Sequence, residues 1–179
     1  HAADLPASYA AMAAEELAPT DAVHRVAGRI MALRSFGKAA FLKLADKSGD
    51  IQVFVQKNKM GAESFELFRK YVEVGDIVGA SGRPMRTNTG ELTIFADELP
   101  LLTKSVTPLP EKWHGLKDVE IRYRRRYLDL VVNPEVRQTF LLRARTIRFI
   151  RAFLEERGYV EVETPMMNAL AGGATARPF

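Results

Sequence analysis

The sequence predicts a mainly β chain with α additions: a five-stranded barrel first, then the opening helix and strand of a second domain. Three observations predict this. Between Val23 and Leu102, apolar and polar residues alternate at strand period, in short runs divided by turn-forming clusters. Inside that region Glu63–Tyr71 switches to helical spacing, with Phe65, Phe68 and Val72 on one face. After Asn133 the period becomes helical again, and a single apolar stripe runs through Val136, Phe140, Ala144, Ile147, Ile150 and Leu154.

The elements follow in order. Pro6 to Leu17 is alanine-rich and reads as a short helix that Pro19 ends, because proline disfavours helix at the residue before it. Val23–Leu33 reads as a first strand bulged at Gly28, and Phe36-Gly37-Lys38 as a turn. Ala40–Ala45 is the second strand, with Phe41 on the face opposite to Leu42 and Leu44. A turn from Asp46 to Asp50 leads to a third strand, Ile51–Val55, and the helix Glu63–Tyr71 comes next. Asp76–Met85 is a fourth strand whose Gly79 and Gly82 suggest bends or a bulge. The turn Thr87-Asn88-Thr89-Gly90 leads to a fifth strand, Glu91–Leu102. Three strands, a helix and two strands is the order of an OB-fold, a partly open barrel that binds oligonucleotides or oligosaccharides. Another small barrel or meander shares the pattern.

Pro108, Pro110 and Gly115 mark a linker, followed by an Arg- and Tyr-rich segment, Val119–Leu130. Asn133 is placed as N-cap and Pro134 as N1 of a helix running to Arg157, with Gly158 as the glycine after its end. Tyr159–Glu163 alternates as a strand closed by Pro165. The resulting division is 1–20 an N-terminal helical extension, 21–104 the barrel, 105–130 a linker and 131–179 the start of a second domain.

Composition narrows the chemistry. With 47% apolar residues in 179, a core can be buried. There is no cysteine, so disulfides, thiolate metal sites and cysteine nucleophiles are excluded. His1, His24 and His114 are too scattered for a ligand set. No apolar run suits a membrane span, and no signal peptide is read. The chain opens on His1, and is expected to begin inside a longer protein or after a trimmed tag. Arg122, Arg124, Arg125 and Arg126 cluster, and Arg137, Arg143, Arg145, Arg148 and Arg151 follow on the long helix. Such a basic excess fits a polyanionic partner, or equally a solvated face or a set of ion pairs.

Three strings carry a family resemblance. Gly158 to Met166, after its long helix, resembles motif 1 of the class II aminoacyl-tRNA synthetases. Gly172-Gly173-Ala174-Thr175-Ala176-Arg177-Pro178-Phe179 resembles the continuation of motif 1 in the lysyl branch. Pro108–Leu116, with Arg122–Leu130, is similar to that branch's connection between barrel and catalytic domain. The resemblance covers nearly everything from Val23 to Phe179. It implies a tRNA-binding OB-fold joined to a class II catalytic domain, in a cytoplasmic homodimer that activates lysine with ATP and magnesium ions (Mg2+) and transfers it to tRNA(Lys).

Motif 2 and motif 3, with their arginines, are absent from these 179 residues, and no P-loop is present. The chain as given is therefore expected to hold no catalytic residue, to bind no cofactor of its own and not to catalyse.

By the same resemblance, four positions match the anticodon-reading pattern of the subgroup: Arg34, Phe41, Gln52 and Glu91. Their chemistry suits the task. An aromatic on the outer face of an OB sheet is a stacking platform, an arginine lies flat against a base, and a glutamine offers donors and an acceptor to a uracil edge. Singly, each also fits an ordinary role as core aromatic or solvated polar residue. Lys38, Lys43, Lys47, Lys57 and Lys59 are candidates for phosphate contacts that position without reading sequence. Gly172 and Gly173 match a loop that approaches the lysine substrate, and Pro165 matches the motif 1 proline of the dimer interface. Three alternatives remain open: a free-standing OB-fold module for single-stranded nucleic acid, a related enzyme that puts lysine on lipid, and a related aspartyl or asparaginyl enzyme.

Overall fold

A computed structural model describes residues 2, 5, 8, 9, 22–110 and 116–166. The predicted helix from Pro6 to Leu17 and the loop at Gly172 and Gly173 fall largely or wholly outside these. The chain forms two compact units, His1–Leu109 and Pro110–Phe179.

The first unit is a closed barrel. Its strands are β1 (His24–Phe36), β2 (Ala39–Ala45), β3 (Asp50–Gln56), β4 (Ile77–Arg86), β5 (Leu92–Glu98) and β6 (Leu101–Thr103), with α1 (Lys57–Met60) and α2 (Ala62–Tyr71) between β3 and β4. The sheet order is β1-β2-β3-β5-β4-β6, and β1 also pairs with β4. All pairings are antiparallel except that of β3 with β5. Closure depends on the length of β1: Arg29 to Phe36 face β2, and His24 to Arg29 face β4.

Alternation fills the interior. Ile30, Leu42, Leu44, Val53, Val55, Val78 and Ile94 are each at most 2% exposed, and α2 adds Phe65 and Phe68 to the same cluster. Each such side chain contributes roughly 1.5–3 kcal/mol by leaving water. The predicted helix therefore exists to carry two phenylalanines into the core. The turn after β2 is held by Asp46, whose Oδ1 accepts from the N–H groups of Ser48 (2.6 Å) and Gly49 (3.0 Å).

Three local expectations need correction. The irregularity in β1 falls between Ile30 and Ala32, not at Gly28; Gly28 is instead a close approach, where an added Cβ would stand 2.7 Å from the Ala45 carbonyl oxygen. The fifth strand is not continuous from Glu91 to Leu102. It breaks at Leu99-Pro100, where proline has no N–H for the ladder, and β6 resumes against Ile77 and Val78. Glu91 itself lies in the hairpin turn, its N–H held by Thr87 Oγ1 at 3.1 Å. Helix α1 is an addition the pattern did not reveal. The glycine at the bulge in β4 has a steric reason: a Cβ on Gly82 would lie 2.0 Å from the Phe95 carbonyl oxygen.

In the second unit, the Arg/Tyr-rich stretch forms two short helices, α3 (Val119–Arg124) and α4 (Arg126–Val132), before the long α5 (Pro134–Glu155). Asp118 caps α3 by accepting from the Ile121 N–H at 2.8 Å. Asp129 is fully buried and accepts from Arg122 Nε at 3.0 Å, Asn133 Nδ2 at 2.7 Å and Arg126. Burial pushes its carboxyl up, but the donors from Asn133, Arg122 and Arg126 outweigh this and hold it below the usual range. Asn133 sits at the N-cap of α5 as expected, yet its side chain makes no capping bond, because its amide is committed to Asp129 and the Leu116 carbonyl. Gly158 (φ 81°) ends the helix with paired bonds, Gly158 N–H to Glu155 O and Tyr159 N–H to Leu154 O. Tyr159–Glu163 is not a strand: among the described residues no neighbouring strand offers its backbone a ladder. Most of the apolar stripe of α5 is open to solvent, with only Val136 buried.

Candidate nucleic-acid interface

The barrel's outer face is ordered in rungs set by strand register. One rung runs from Arg34 on β1 to Phe41 on β2, Phe54 on β3, Phe95 on β5 and Arg83 on β4. The next runs through Ala32, Lys43, Gln52, Thr93 and Met85. The alternation that buries Leu42 and Leu44 is what turns Phe41 and Lys43 outward.

Phe41, Phe54 and Phe95 form a continuous row. Ring centroids are 4.6 Å apart for Phe41–Phe54 and 5.3 Å for Phe54–Phe95, both tilted, and Phe36 meets Phe41 edge-on at 6.4 Å. These are the offset and edge geometries that aromatic quadrupoles favour. Lys59 lies over the far end of the row, 5.8 Å from the Phe95 ring. Phe41, Phe54 and Phe95 are all half-buried, and Arg34 and Arg83 at the two ends of the rung are exposed.

Arg34, Phe41, Gln52 and Glu91 all line one cleft of about 620 Å³, with Phe36, Phe54 and the Thr87–Thr89 turn on its walls. Its polar wall is already organised. Gln52 Nε2 donates to Glu91 Oε2 at 2.8 Å, and Thr93 Oγ1 donates to Gln52 Oε1 at 2.7 Å. The turn is braced from behind by Arg86, which donates to the Gly90 carbonyl at 2.9 Å and the Tyr9 carbonyl at 2.8 Å. The cleft thus joins an open aromatic surface, a planar cation and a fixed amide, a combination suited to a flat heteroaromatic ring with a hydrogen-bonding edge.

Phe36, Phe54, Thr93 and the Thr87–Thr89 turn were not singled out from sequence. Phe54 was within reach, since it lies two residues from Gln52 and so on the same face. The lysines are less available than their number suggests: Lys43 pairs with Asp50 at 2.7 Å, Lys57 with Glu66 at 3.4 Å and Lys59 with Asp97 at 3.0 Å. The arginine cluster of the second unit is similarly engaged, Arg122 and Arg126 with Asp129 and Arg124 with Glu120. Pro165 is exposed near the end of the described residues, and Gly172 and Gly173 lie outside them. Among the described residues no group of three histidines or carboxylates is arranged to hold a metal ion, and no helix is long and apolar enough to cross a membrane.

Comparison with known proteins bears on the barrel and on the sequence after it. The family model of the OB-fold nucleic acid binding domain matches residues 24–102, and that of the class II tRNA synthetases (D, K and N) matches residues 118–179. The chain is 53% identical over 159 residues to the lysine–tRNA ligase of Carboxydothermus hydrogenoformans, covering 89% of this chain and 32% of that protein. It is 54% identical over 182 residues to that of Anaeromyxobacter sp. strain K, covering 100% and 35%. With the Moorella thermoacetica enzyme the identity is 56% over 154 residues, covering 86% and 31%. The chain thus spans about a third of the length of these curated relatives. It joins an OB-fold nucleic acid binding domain to class II tRNA synthetase (D, K and N) sequence, and across both the chain is similar to lysine–tRNA ligases.

Proposed function

We propose that residues 21–104 are an anticodon-binding domain whose outer cleft takes the anticodon loop of tRNA(Lys) and reads a central uracil. The observation that carries this is the convergence of Arg34, Phe41, Gln52 and Glu91, far apart in sequence, on a single cleft. Phe41 supplies the stacking face and Arg34, opposite it across the β1–β2 ladder, the second face. Gln52 keeps one N–H and one oxygen lone pair beyond its bonds to Glu91 and Thr93, enough to match the acceptor and donor of uracil's Watson–Crick edge. Cytosine presents the reverse pattern. Glu91 both orients Gln52 and offers a carboxylate oxygen to a neighbouring base or ribose.

In the whole protein this domain would deliver the tRNA to a catalytic domain beginning near residue 131, where lysine is activated with ATP and Mg2+ and passed to the tRNA 3′ end in the cytoplasm. We propose that the 179 residues given bind without catalysing, because motifs 2 and 3 are not among them. The exposed stripe of α5, where Phe140, Ile150 and Leu154 are 42%, 51% and 41% open, supports a homodimer interface including Pro165. Sedimentation should then show dimers or larger species; a monodisperse monomer contradicts that part.

The cleft reading is tested by binding U-centred and C-centred anticodon stem-loops to wild type and Gln52→Ala. Wild type should prefer the U-centred loop by roughly 5- to 150-fold, the range of one mismatched base, and Gln52→Ala should lose preference more than affinity. Equal binding of both loops by wild type would defeat it.

A further inference from the structure

Thr93 breaks the alternation of its strand. β5 buries Leu92, Thr93 and Ile94 in succession, although register puts Thr93 on the outward rung between Gln52 and Met85. It has no solvent exposure, and a hydroxyl in that position must be satisfied by protein. Its Oγ1 lies 2.7 Å from Gln52 Oε1 and 3.2 Å from the Glu91 carbonyl oxygen. A hydroxyl has one proton to donate, and the shorter contact is to the amide oxygen.

At its other atom the same amide donates from Nε2 to the Glu91 carboxylate at 2.8 Å. An ionised carboxylate only accepts. The nitrogen of Gln52 must therefore turn toward Glu91, and its oxygen toward Thr93. Rotating the amide by half a turn would bring oxygen against carboxylate, and the Thr93 hydroxyl, which can also accept, would take a bond from the nitrogen and give its proton to the Glu91 carbonyl at the longer 3.2 Å contact. The two ends are not equal, however. Glu91 is exposed, so its bond is shared with water, whereas Thr93 is sealed. The buried end is the one that water cannot replace.

We infer that Thr93 is a positioning residue for base discrimination in this cleft: its buried hydroxyl, acting with the Glu91 carboxylate, favours the Gln52 amide orientation that matches uracil over the one that matches cytosine. This rests on the reading of the cleft proposed above. An amide free to turn over would present donor and acceptor in either order and accept either pyrimidine. A held amide accepts one.

The test uses the full chain, the U-centred and C-centred stem-loops, and Thr93→Val, which keeps shape and removes the donor. Thr93→Val should lower the U-over-C ratio roughly three- to tenfold, the worth of about one net hydrogen bond, chiefly by binding the U-centred loop less well. Thr93→Ser should keep the wild-type ratio, and Thr93→Cys, a weak donor of similar size, should fall between. A purely structural role would weaken both loops alike and leave the ratio unchanged, so the ratio separates the two. Should Thr93→Val fold poorly, the order of wild type, Ser and Cys carries the same comparison. An unchanged ratio in Thr93→Val and Thr93→Cys, while Gln52→Ala loses it, overturns this inference and leaves the cleft reading standing. A wild type without preference overturns both.

Discussion

Replacing Phe41 with alanine should separate binding from folding in this barrel. Phe41 stands on the outer face, while its neighbours Leu42 and Leu44 fill the interior at 1% and 2% exposure. Its removal opens no cavity among the buried residues. The cost to the fold is the loss of its contacts with Phe54 at 4.6 Å and Phe36 at 6.4 Å, about 0.5–1.5 kcal/mol for an aromatic pair beyond its buried area. That shifts the melting temperature of a domain this size by only several degrees. The cost to binding is larger. Stacking one base on an aromatic is worth roughly 1–3 kcal/mol, so the dissociation constant for a U-centred stem-loop should rise about 5- to 150-fold. Fluorescence anisotropy with a labelled stem-loop at one fixed salt concentration measures this, alongside thermal unfolding of the same sample. Phe54→Ala is the comparator. It sits in mid-row between Phe41 and Phe95, and its loss should weaken binding less than that of Phe41. If Phe41→Ala folds and binds within twofold of wild type, Phe41 is no platform and the site is elsewhere.

Two further outcomes follow from the barrel itself. Gly82→Ala places a Cβ against backbone at 2.0 Å, which flexible side chains cannot relieve; overpacking of about 3 kcal/mol lowers the melting temperature by roughly 12 °C or more in a domain of this size, and a melting curve matching wild type contradicts this. Acid should unfold the barrel over a defined window. Burial raises the carboxyl of Asp46, but bonds from the Ala2, Ser48 and Gly49 N–H groups and the Ser48 hydroxyl prevail and bring it from 3.8 to about 2. Asp76 is likewise lowered: burial opposes, while Ser105 N–H, Glu73 N–H and Lys104 prevail. Because these folded-state values are depressed, the stability they contribute is complete above the unfolded value of 3.8 and fades as pH falls toward 2. Melting temperature against pH should be flat above about 5, fall steeply between about 4 and 2, and fall less in Asp46→Asn; a decline centred near neutrality would refute the assignment.

Much of the barrel was legible because alternation and turn residues act locally. Leu42 and Leu44 against Phe41 is a period-two statement, and it is enough to turn Phe41 to the outer face. The split of β5 from β6 was missed, although Pro100, which has no N–H to give the ladder, marks the place. What could not be read is decided by partners distant in sequence. Thr93 follows the outward parity of its strand, yet it is sealed from water between the neighbouring strands that carry Gln52 and Met85. Asn133 has the composition of an N-cap, but buried Asp129 claims its amide. Tyr159–Glu163 has the alternation of a strand, and with no neighbour to pair with among the described residues it is irregular. The lysines illustrate the same limit for charge: sequence counts cations near the barrel, but the fold brings Asp50, Glu66 and Asp97 against three of them. The arginines of the second unit pose the same problem, since Asp129 is identified as their partner only once α3 and α4 have folded around it.

The central claim, that the cleft between Arg34 and Glu91 receives the middle base of an anticodon, is tested most directly by photocrosslinking. A stem-loop carrying 5-iodouracil at the centre of its anticodon is bound to the full chain, irradiated, and the adduct mapped by peptide mass spectrometry. The account predicts an adduct on Phe41, suppressed by an excess of unlabelled U-centred loop and lost in Phe41→Ala. An adduct on the arginines of α5, or on the barrel away from β1, β2 and β3, would contradict it.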